Sequence, residues 1–119
     1  MINPNELRFG NYVIIKNYNS KYWNKIGKIE GFSRNAEYVS LDINKYSAFY
    51  LKDIEPIPLK EILNKCDFVR CIGIEKEFIL SSEDGVNYIH HQTGVVIKYL
   101  HELQNLWHAV RKKELQINL

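Results

Sequence analysis

Short runs in which apolar and polar residues alternate fill the first half of the chain. Alternation with a period of two predicts β-strands, and turn-forming residues separate four such runs: NYVIIKNY, KIGKIEGF, YVSLDI and AFYL. Gly27 and Gly31, inside the second run, indicate a bulge or a sharp bend of the kind that small barrels need. Four or five short strands joined by tight turns within about fifty residues predict an SH3-like barrel.

The pattern changes at a proline-rich link in the middle of the chain. Pro56 and Pro58 favour an extended backbone there, and the apolar spacing after them predicts a short helix over 59–66. Four further strand-like runs follow, FVRCIGI, EFILS, NYIHH and VVIKY. The last two links between them end in glycine, which is typical of hairpins. This half therefore predicts an antiparallel meander of three or four strands.

The stretch YLHELQNLWHAVRKKEL has the most regular helical spacing in the chain. Leu100, Leu103, Trp107 and Val110 fall on one stripe, which predicts a helix over 100–112 that packs on the second sheet. The run ends in cationic residues, and positive charge near its C-terminal end stabilises a helix. We predict a secondary binding surface from polar residues away from the apolar stripe and from these cations: His101, Gln104, Asn105, His108, Arg111 and Lys112.

These patterns predict an α+β protein, mostly β, with 119 residues in a single domain. Its first subdomain, over 1–55, is expected to be a small SH3-like N-terminal barrel. Its second, over 56–119, is expected to contain a helix, an antiparallel β-meander and a C-terminal helix packed on that meander.

Charge is distributed unevenly, although the formal net charge is only +2. Six basic residues and one acid lie between Arg8 and Arg34, whereas eight basic and eight acidic residues follow from Lys60 onward. Aromatic rings also alternate with lysines in the basic stretch, and lysines neutralise phosphates while rings stack on unpaired bases. We predict a nucleic-acid or partner-binding surface made of Lys16, Lys21, Tyr22, Trp23, Lys25, Lys28 and Arg34. An ordinary soluble strand pair, or a protein-contact surface rich in aromatic rings, would explain the same composition.

Catalytic motifs are missing from the sequence. It contains no GxSxG nucleophile elbow, no GxGxxG and no GxxxxGK[ST]. The only cysteines, Cys66 and Cys71, lack CxxC spacing and fit a reducing compartment. Residues 1–20 have no long apolar core, and no stretch approaches the roughly 18 apolar residues of a membrane span. We therefore expect a non-enzymatic cytoplasmic protein with no signal peptide and no membrane contact.

The histidines do not form a recognisable metal site either. His90 and His91 are adjacent on a predicted strand and so point to opposite faces. His101 and His108 share a helix face but lie about 10 Å apart along the axis, too far for one tetrahedral ion. We expect neither a metal nor another cofactor.

Three segments of the chain resemble motifs of a known family. NELRFGNYV, LKDIEPIPLKEIL and YLHELQNLWHAVRKKELQI resemble the motifs ELRIGN, (D)IEPIPLTEEWL and VHxLQNLYFALTGxEL. These motifs occur in a family of small uncharacterised proteins carried by phages, prophages and mobile elements of Bacteroidetes. The matching positions are Glu6, Leu7, Arg8, Gly10 and Asn11, then Asp53 to Leu59, then His101, Leu103, Gln104, Asn105 and Leu106. The central segment lacks the family's tryptophan, and VRKKEL replaces a segment that generally contains glycine.

The resemblance implies a protein that acts inside a bacterial host cell, and it implies no enzymatic activity. A phage-derived binding protein without catalysis is therefore expected, most simply a host-defence inhibitor of anti-CRISPR type. Its partner would be an RNA-guided nuclease or the guide RNA. One alternative is a phage nucleic-acid-binding module with an accessory or regulatory role. Another is a sponge for a small nucleotide signal, which would need an oligomer with a deep pocket.

Overall fold

A computed structural model of the chain describes residues 2–35, 37–44, 48–65 and 78–117. They form two antiparallel sheets, of five and three strands, and a C-terminal helix. The protein is therefore α+β and mostly β, which confirms this part of the prediction. The chain divides into two compact units, Met1–Ile57 and Pro58–Leu119. The predicted strand FVRCIGI and both cysteines lie outside the described residues.

The first unit is built on the five-stranded sheet. Along the chain it contains a 3₁₀-helix (Pro4–Glu6), β1 (Tyr12–Ile15), β2 (Ile26–Phe32), β3 (Tyr38–Leu41), β4 (Ala48–Tyr50), a second 3₁₀-helix (Leu51–Asp53) and β5 (Ile54–Glu55). The strand order across the sheet is β4-β3-β2-β1-β5. The short helix after β4 therefore carries the chain back to β1, where β5 pairs antiparallel.

Alternate side chains of these strands face one apolar core, as the period of two predicts. Val13 and Ile15 of β1, Ile29 of β2, and Val39 and Leu41 of β3 are all almost completely buried. The residues between them are partly exposed.

The two glycines of β2 have different structural roles. Pairing with β3 shifts register between Ile29 and Gly31, which confirms the irregularity predicted from the glycines. At Gly27 the neighbouring strand approaches closely. A Cβ atom there would lie 2.9 Å from Ile43 Cδ1 and 3.1 Å from Leu41 Cβ. Glycine at this position therefore lets the side chains of the next strand cover the core.

We expect Gly27→Ala to lower the free energy of unfolding by about 1–3 kcal/mol, because an added methyl group overpacks this contact. Gly31→Ala is the matched control, since its added Cβ would meet nothing closer than the Ser40 side chain at 3.8 Å. Urea denaturation of both variants measures the difference. Equal stability of the two variants would show that β3 moves to accommodate the methyl group without a loss of stability.

The second unit combines helices with the three-stranded sheet. Its elements among the described residues are α1 (Leu59–Lys65), β6 (Leu80–Ser81), β7 (Tyr88–His90), β8 (Val96–Ile97) and α2 (Leu100–Arg111), and the sheet order is β6-β7-β8. The two helices lie where their apolar spacing predicted them. The strands are shorter than the predicted runs. The Leu59 N–H donates to the Lys98 carbonyl at 2.9 Å, and this bond joins the start of α1 to the residues before α2.

Local hydrogen bonds define both ends of α2. The Glu102 carboxylate accepts from the backbone N–H groups of Lys98 and Tyr99 at 3.1 and 3.0 Å, the backward bond of a capping box. At the other end Lys112 adopts a left-handed backbone, with φ 60°, and its N–H donates to the His108 carbonyl. The helix therefore ends at Arg111, within one residue of the predicted position.

Candidate nucleic-acid interface

The loop between β1 and β2, residues 16–25, is a hairpin connection ordered by its own polar groups. The Asn24 N–H donates to the Ile15 carbonyl at 2.7 Å, and Asn24 has φ 65°, a left-handed conformation that asparagine tolerates better than most residues. Within the loop the Ser20 hydroxyl accepts from the Tyr22 N–H at 3.1 Å. We call this segment the β1–β2 loop.

Two aromatic rings of the β1–β2 loop stack on each other at the surface. The ring centroids of Tyr18 and Trp23 lie 5.1 Å apart with an interplanar angle of 27°. Their side chains remain 85% and 41% exposed. A stacked pair this exposed presents flat apolar area to solvent and to any planar ligand. We call it the aromatic pair.

Three lysines belong to the same loop as the aromatic pair. Lys16, Lys21 and Lys25 are all exposed. The Lys16 ammonium donates to the Asn24 side-chain carbonyl at 2.8 Å, and the Lys21 ammonium lies 5.1 Å from the centre of the Tyr22 ring. The β1–β2 loop therefore combines cations and flat rings, the two features that single-stranded nucleic acid requires of a binding surface.

Tyr22, which the sequence places on the same surface, packs inward instead. Its ring meets Phe49 edge-on at 5.6 Å and lies against the core of the first unit. Its hydroxyl accepts from the Asn44 side-chain amide at 2.8 Å. That hydrogen bond, together with nearby Lys21, lowers the pKa of Tyr22 below its ordinary value. Tyr22 thus anchors the β1–β2 loop to the sheet.

Lys28 and Arg34 lie outside the cluster around the aromatic pair. Lys28 is partly buried within β2, where it pairs with Tyr12. Arg34 is exposed in the turn after β2. Seven residues of β2 separate this turn from the β1–β2 loop, roughly 20 Å at about 3.3 Å per residue. The structure does not bring Arg34 together with the lysines of the loop.

Part of the β1–β2 loop also lines a groove that the sequence pattern did not predict. It has a volume of about 240 Å³ and is lined by Ile15, Asn17, Ser20, Lys21, Tyr22, Ala48, Phe49, Tyr50 and Asp53. The lining combines the loop with β4 and the 3₁₀-helix that follows it. These segments lie about thirty residues apart in the sequence, so no local spacing pattern reveals the groove.

The predicted secondary surface on α2 is wrong for two of its residues. His101 and Gln104 are each 1% exposed, so neither belongs to a surface available to a partner. Gln104 follows Leu100 by four residues and precedes Trp107 by three, and this spacing places it on the same helix face as both. Val110, predicted to be in the buried stripe, is 40% exposed. The buried face of α2 is rotated relative to the prediction.

The remaining residues of that predicted surface are distributed along the exposed side and the end of α2. Asn105 and Arg111 are partly buried, whereas His108 and Lys112 are exposed. The Arg111 guanidinium carbon lies 5.6 Å from the Trp107 ring centre, a cation–π contact that covers the edge of the core. Compared with the β1–β2 loop, this region presents no stacked and exposed rings within the part of the chain that the structure describes.

A buried histidine next to α2 has a perturbed pKa. His90 is 1% exposed, and its ring lies 4.1 Å from that of Phe78. Its Nδ1 hydrogen-bonds with the Thr93 hydroxyl at 2.8 Å. Burial, and then the positive charge of Arg111, lower the pKa of His90. The folded protein therefore favours the neutral form of this imidazole.

We expect His90 to make the protein less stable as the pH is lowered. Because the pKa of His90 is lowered in the folded state, its contribution to the free energy of unfolding is complete above the unfolded pKa of about 6.5. That contribution is lost as the pH falls through the folded pKa. Thermal unfolding at a series of pH values should therefore show a weaker pH dependence in His90→Asn than in the wild type. His108→Gln, which replaces an exposed histidine, should retain the wild-type profile. Identical profiles for all three proteins would exclude His90 as the source.

Comparison with known proteins finds no matching family model, curated protein or solved structure for this chain. Among the described residues, no helix is long and apolar enough to cross a membrane. The same part of the chain contains no group of three or more histidine, cysteine, aspartate or glutamate residues that could hold a metal ion.

Proposed function

We propose that this chain is a non-catalytic binding protein that holds single-stranded RNA on the aromatic pair and the lysines around it. In the bacterial cell it acts as a host-defence inhibitor of anti-CRISPR type, by contacting the guide RNA of an RNA-guided nuclease. The observation that carries the proposal is the exposed stack of Tyr18 on Trp23, with Lys16, Lys21 and Lys25 in the same loop.

The stacking energy and the net charge of the chain favour single-stranded over duplex nucleic acid as the ligand. Stacking one base on an aromatic side chain contributes about 1–3 kcal/mol, and it requires a base whose face is open. A duplex hides those faces, and the formal net charge of +2 provides little general attraction for a phosphate backbone. A local surface in which ring stacking supplements a few lysines therefore favours unpaired RNA.

We also propose that the first unit is a small SH3-like barrel. Its strand order, β4-β3-β2-β1-β5, and the 3₁₀-helix that carries the chain from β4 back to β1 support this. In such a barrel successive strand connections lie at alternate ends, and the β1–β2 loop at one end can contact an extended strand of RNA.

Tryptophan fluorescence provides a direct test. Of the two tryptophans, Trp107 is buried and Trp23 lies in the aromatic pair, so a Trp107→Phe variant leaves Trp23 as the only reporter. A short oligouridine should quench its emission, since a stacked base contacts the indole directly. Fluorescence anisotropy of the labelled oligouridine should give a weaker affinity for Tyr18→Ala and Trp23→Ala, by roughly 5- to 150-fold for each lost stack.

The role in host defence has a separate readout. Wild-type protein should inhibit target cleavage by a nuclease loaded with guide RNA, and Trp23→Ala should inhibit it less at equal concentration. RNA binding without any inhibition would instead support a phage accessory module that binds nucleic acid. If the oligouridine neither quenches Trp23 nor changes anisotropy, the aromatic pair is not an RNA-binding surface.

A further inference from the structure

The groove beside the β1–β2 loop has the size and walls of a site for one flat ring. Its volume is about 240 Å³, smaller than the roughly 300–1,000 Å³ of pockets that bury drug-sized ligands. Residues of two segments line it, among them Tyr22 from the loop and Phe49 and Tyr50 from β4, and the Tyr22 and Phe49 rings pack edge-on against each other. Tyr50 is itself partly exposed, so the groove is open to an incoming ligand.

A carboxylate in this groove is held in a defined orientation. The Lys16 N–H donates to the Asp53 carbonyl at 2.8 Å, which fixes the backbone of Asp53 against the end of β1. The Asn17 side-chain amide then donates to Asp53 Oδ2 at 3.1 Å. Asn17 Oδ1 accepts from the Asn19 N–H at 3.0 Å, which orients the amide so that its NH₂ faces Asp53. A carboxylate has about four lone-pair sites, and Asn17 occupies one of them.

We propose that the groove binds one unpaired guanine base of the RNA, with the Asp53 carboxylate accepting hydrogen bonds from its Watson–Crick edge. This inference rests on the proposed function. Guanine presents two adjacent donors on that edge, N1–H and the N2 amino group, which match the two oxygens of a carboxylate. Cytosine and adenine present one amino group beside a ring nitrogen that repels the second oxygen, and uracil presents one N–H between two carbonyls.

The position of the groove suits a nucleotide that continues the bound strand. Lys21 lines the groove and belongs to the same loop as the aromatic pair. Its ammonium group, 5.1 Å from the Tyr22 ring centre, can therefore neutralise a phosphate next to the bound base. In this arrangement one base stacks on the aromatic pair, and a nearby guanine enters the groove, where its edge is read.

Oligouridines with one central substitution test this specificity. Wild-type protein should bind the guanosine-containing strand roughly tenfold tighter than the all-uridine strand, the size of discrimination expected from one bidentate contact. Inosine, which lacks the N2 amino group, should recover only part of the gain. Asp53→Asn should lose the preference, since its amide NH₂ faces the guanine donors, and should bind the all-uridine strand as well as the wild type does. Glu55→Gln, which removes an exposed carboxylate from β5, should retain the preference.

A second measurement separates this inference from the proposed function. Guanosine monophosphate, titrated into isotope-labelled protein, should shift the backbone amide resonances of Phe49, Tyr50 and Asp53 more than uridine monophosphate does, in wild-type protein. This titration uses wild-type protein alone, so its result does not depend on whether the Asp53→Asn variant folds. Binding of oligouridine without any preference for guanine, and without these shifts, would overturn the groove as a guanine site and leave RNA binding intact. Absence of binding to every oligonucleotide would overturn both proposals.

Discussion

Replacing Trp107 with alanine is expected to lower the free energy of unfolding by about 3–5 kcal/mol, the usual range for a buried aromatic side chain. Only 3% of Trp107 is exposed, and its ring centre lies 5.0 Å from that of Phe78. Phe78 in turn contacts His90 of β7, so the indole connects α2 to the three-stranded sheet. Alanine would leave a cavity between these elements that their backbones can only partly close.

Chemical denaturation measures this loss, and α2 supplies the control. Val110 is apolar but 40% exposed on the same helix, so Val110→Ala should change stability by no more than about 0.5 kcal/mol. The contrast tests the observed burial against the sequence prediction, which placed both residues in the buried stripe. A similar loss for the two variants would favour the predicted face of α2 over the observed one.

The strands and helices were predictable because local periodicity determines which side chains can be buried together. Val13 and Ile15 alternate with less buried neighbours, and the structure places them in one core. Both α1 and α2 begin at the predicted residues, Leu59 and Leu100. In contrast, β5 has only two residues. A strand that short pairs because the preceding 3₁₀-helix delivers it to β1, and its own sequence carries no usable period.

The face of α2 was predicted wrongly because apolar residues were the only ones counted. The helix buries two polar side chains, His101 and Gln104, together with Leu100, Leu103 and Trp107. Buried polar groups of this kind depend on partners supplied by the rest of the fold. A single sequence carries no sign of those partners, so the polar positions were assigned to solvent.

The proposed binding surface was predictable only where its residues are close in sequence. Lys21, Trp23 and Lys25 fall within one loop, so proximity follows from the chain itself. The groove depends on Asn17 and Asp53, which are 36 residues apart and meet through a hydrogen bond. Asn17 and Asp53 come together only because β5 pairs with β1, and this pairing is set by the strand order of the whole sheet.

Neutralising three lysines of the β1–β2 loop is expected to have the largest effect on RNA binding. Each lysine that contacts a phosphate of a single strand contributes about −0.7 to the slope of log affinity against log salt. The variant Lys16→Gln/Lys21→Gln/Lys25→Gln should therefore reduce the magnitude of that slope by about 2 and weaken binding about 100-fold at roughly 0.1 M salt. Titration of labelled oligouridine at several salt concentrations measures both quantities.

The matched control makes the same charge change on the second unit. Lys60→Gln/Lys98→Gln/Lys112→Gln replaces three lysines that are also exposed, and it should leave both the slope and the affinity close to wild type. Long-range attraction to the whole protein would weaken equally in the two variants, whereas phosphate contacts at the loop respond only to the first. Equal losses would therefore contradict a localised binding surface.

The same titration should distinguish the contribution of ring stacking to RNA binding from that of phosphate contacts. Trp23→Ala removes a stacking surface but no cation, so binding should weaken at every salt concentration while the slope remains near that of the wild type. The lysine variant should instead approach wild-type affinity as salt rises toward 1 M, where release of counterions contributes little. If both variants change the slope equally, Trp23 supports the conformation of the loop, and the bases are held by other groups.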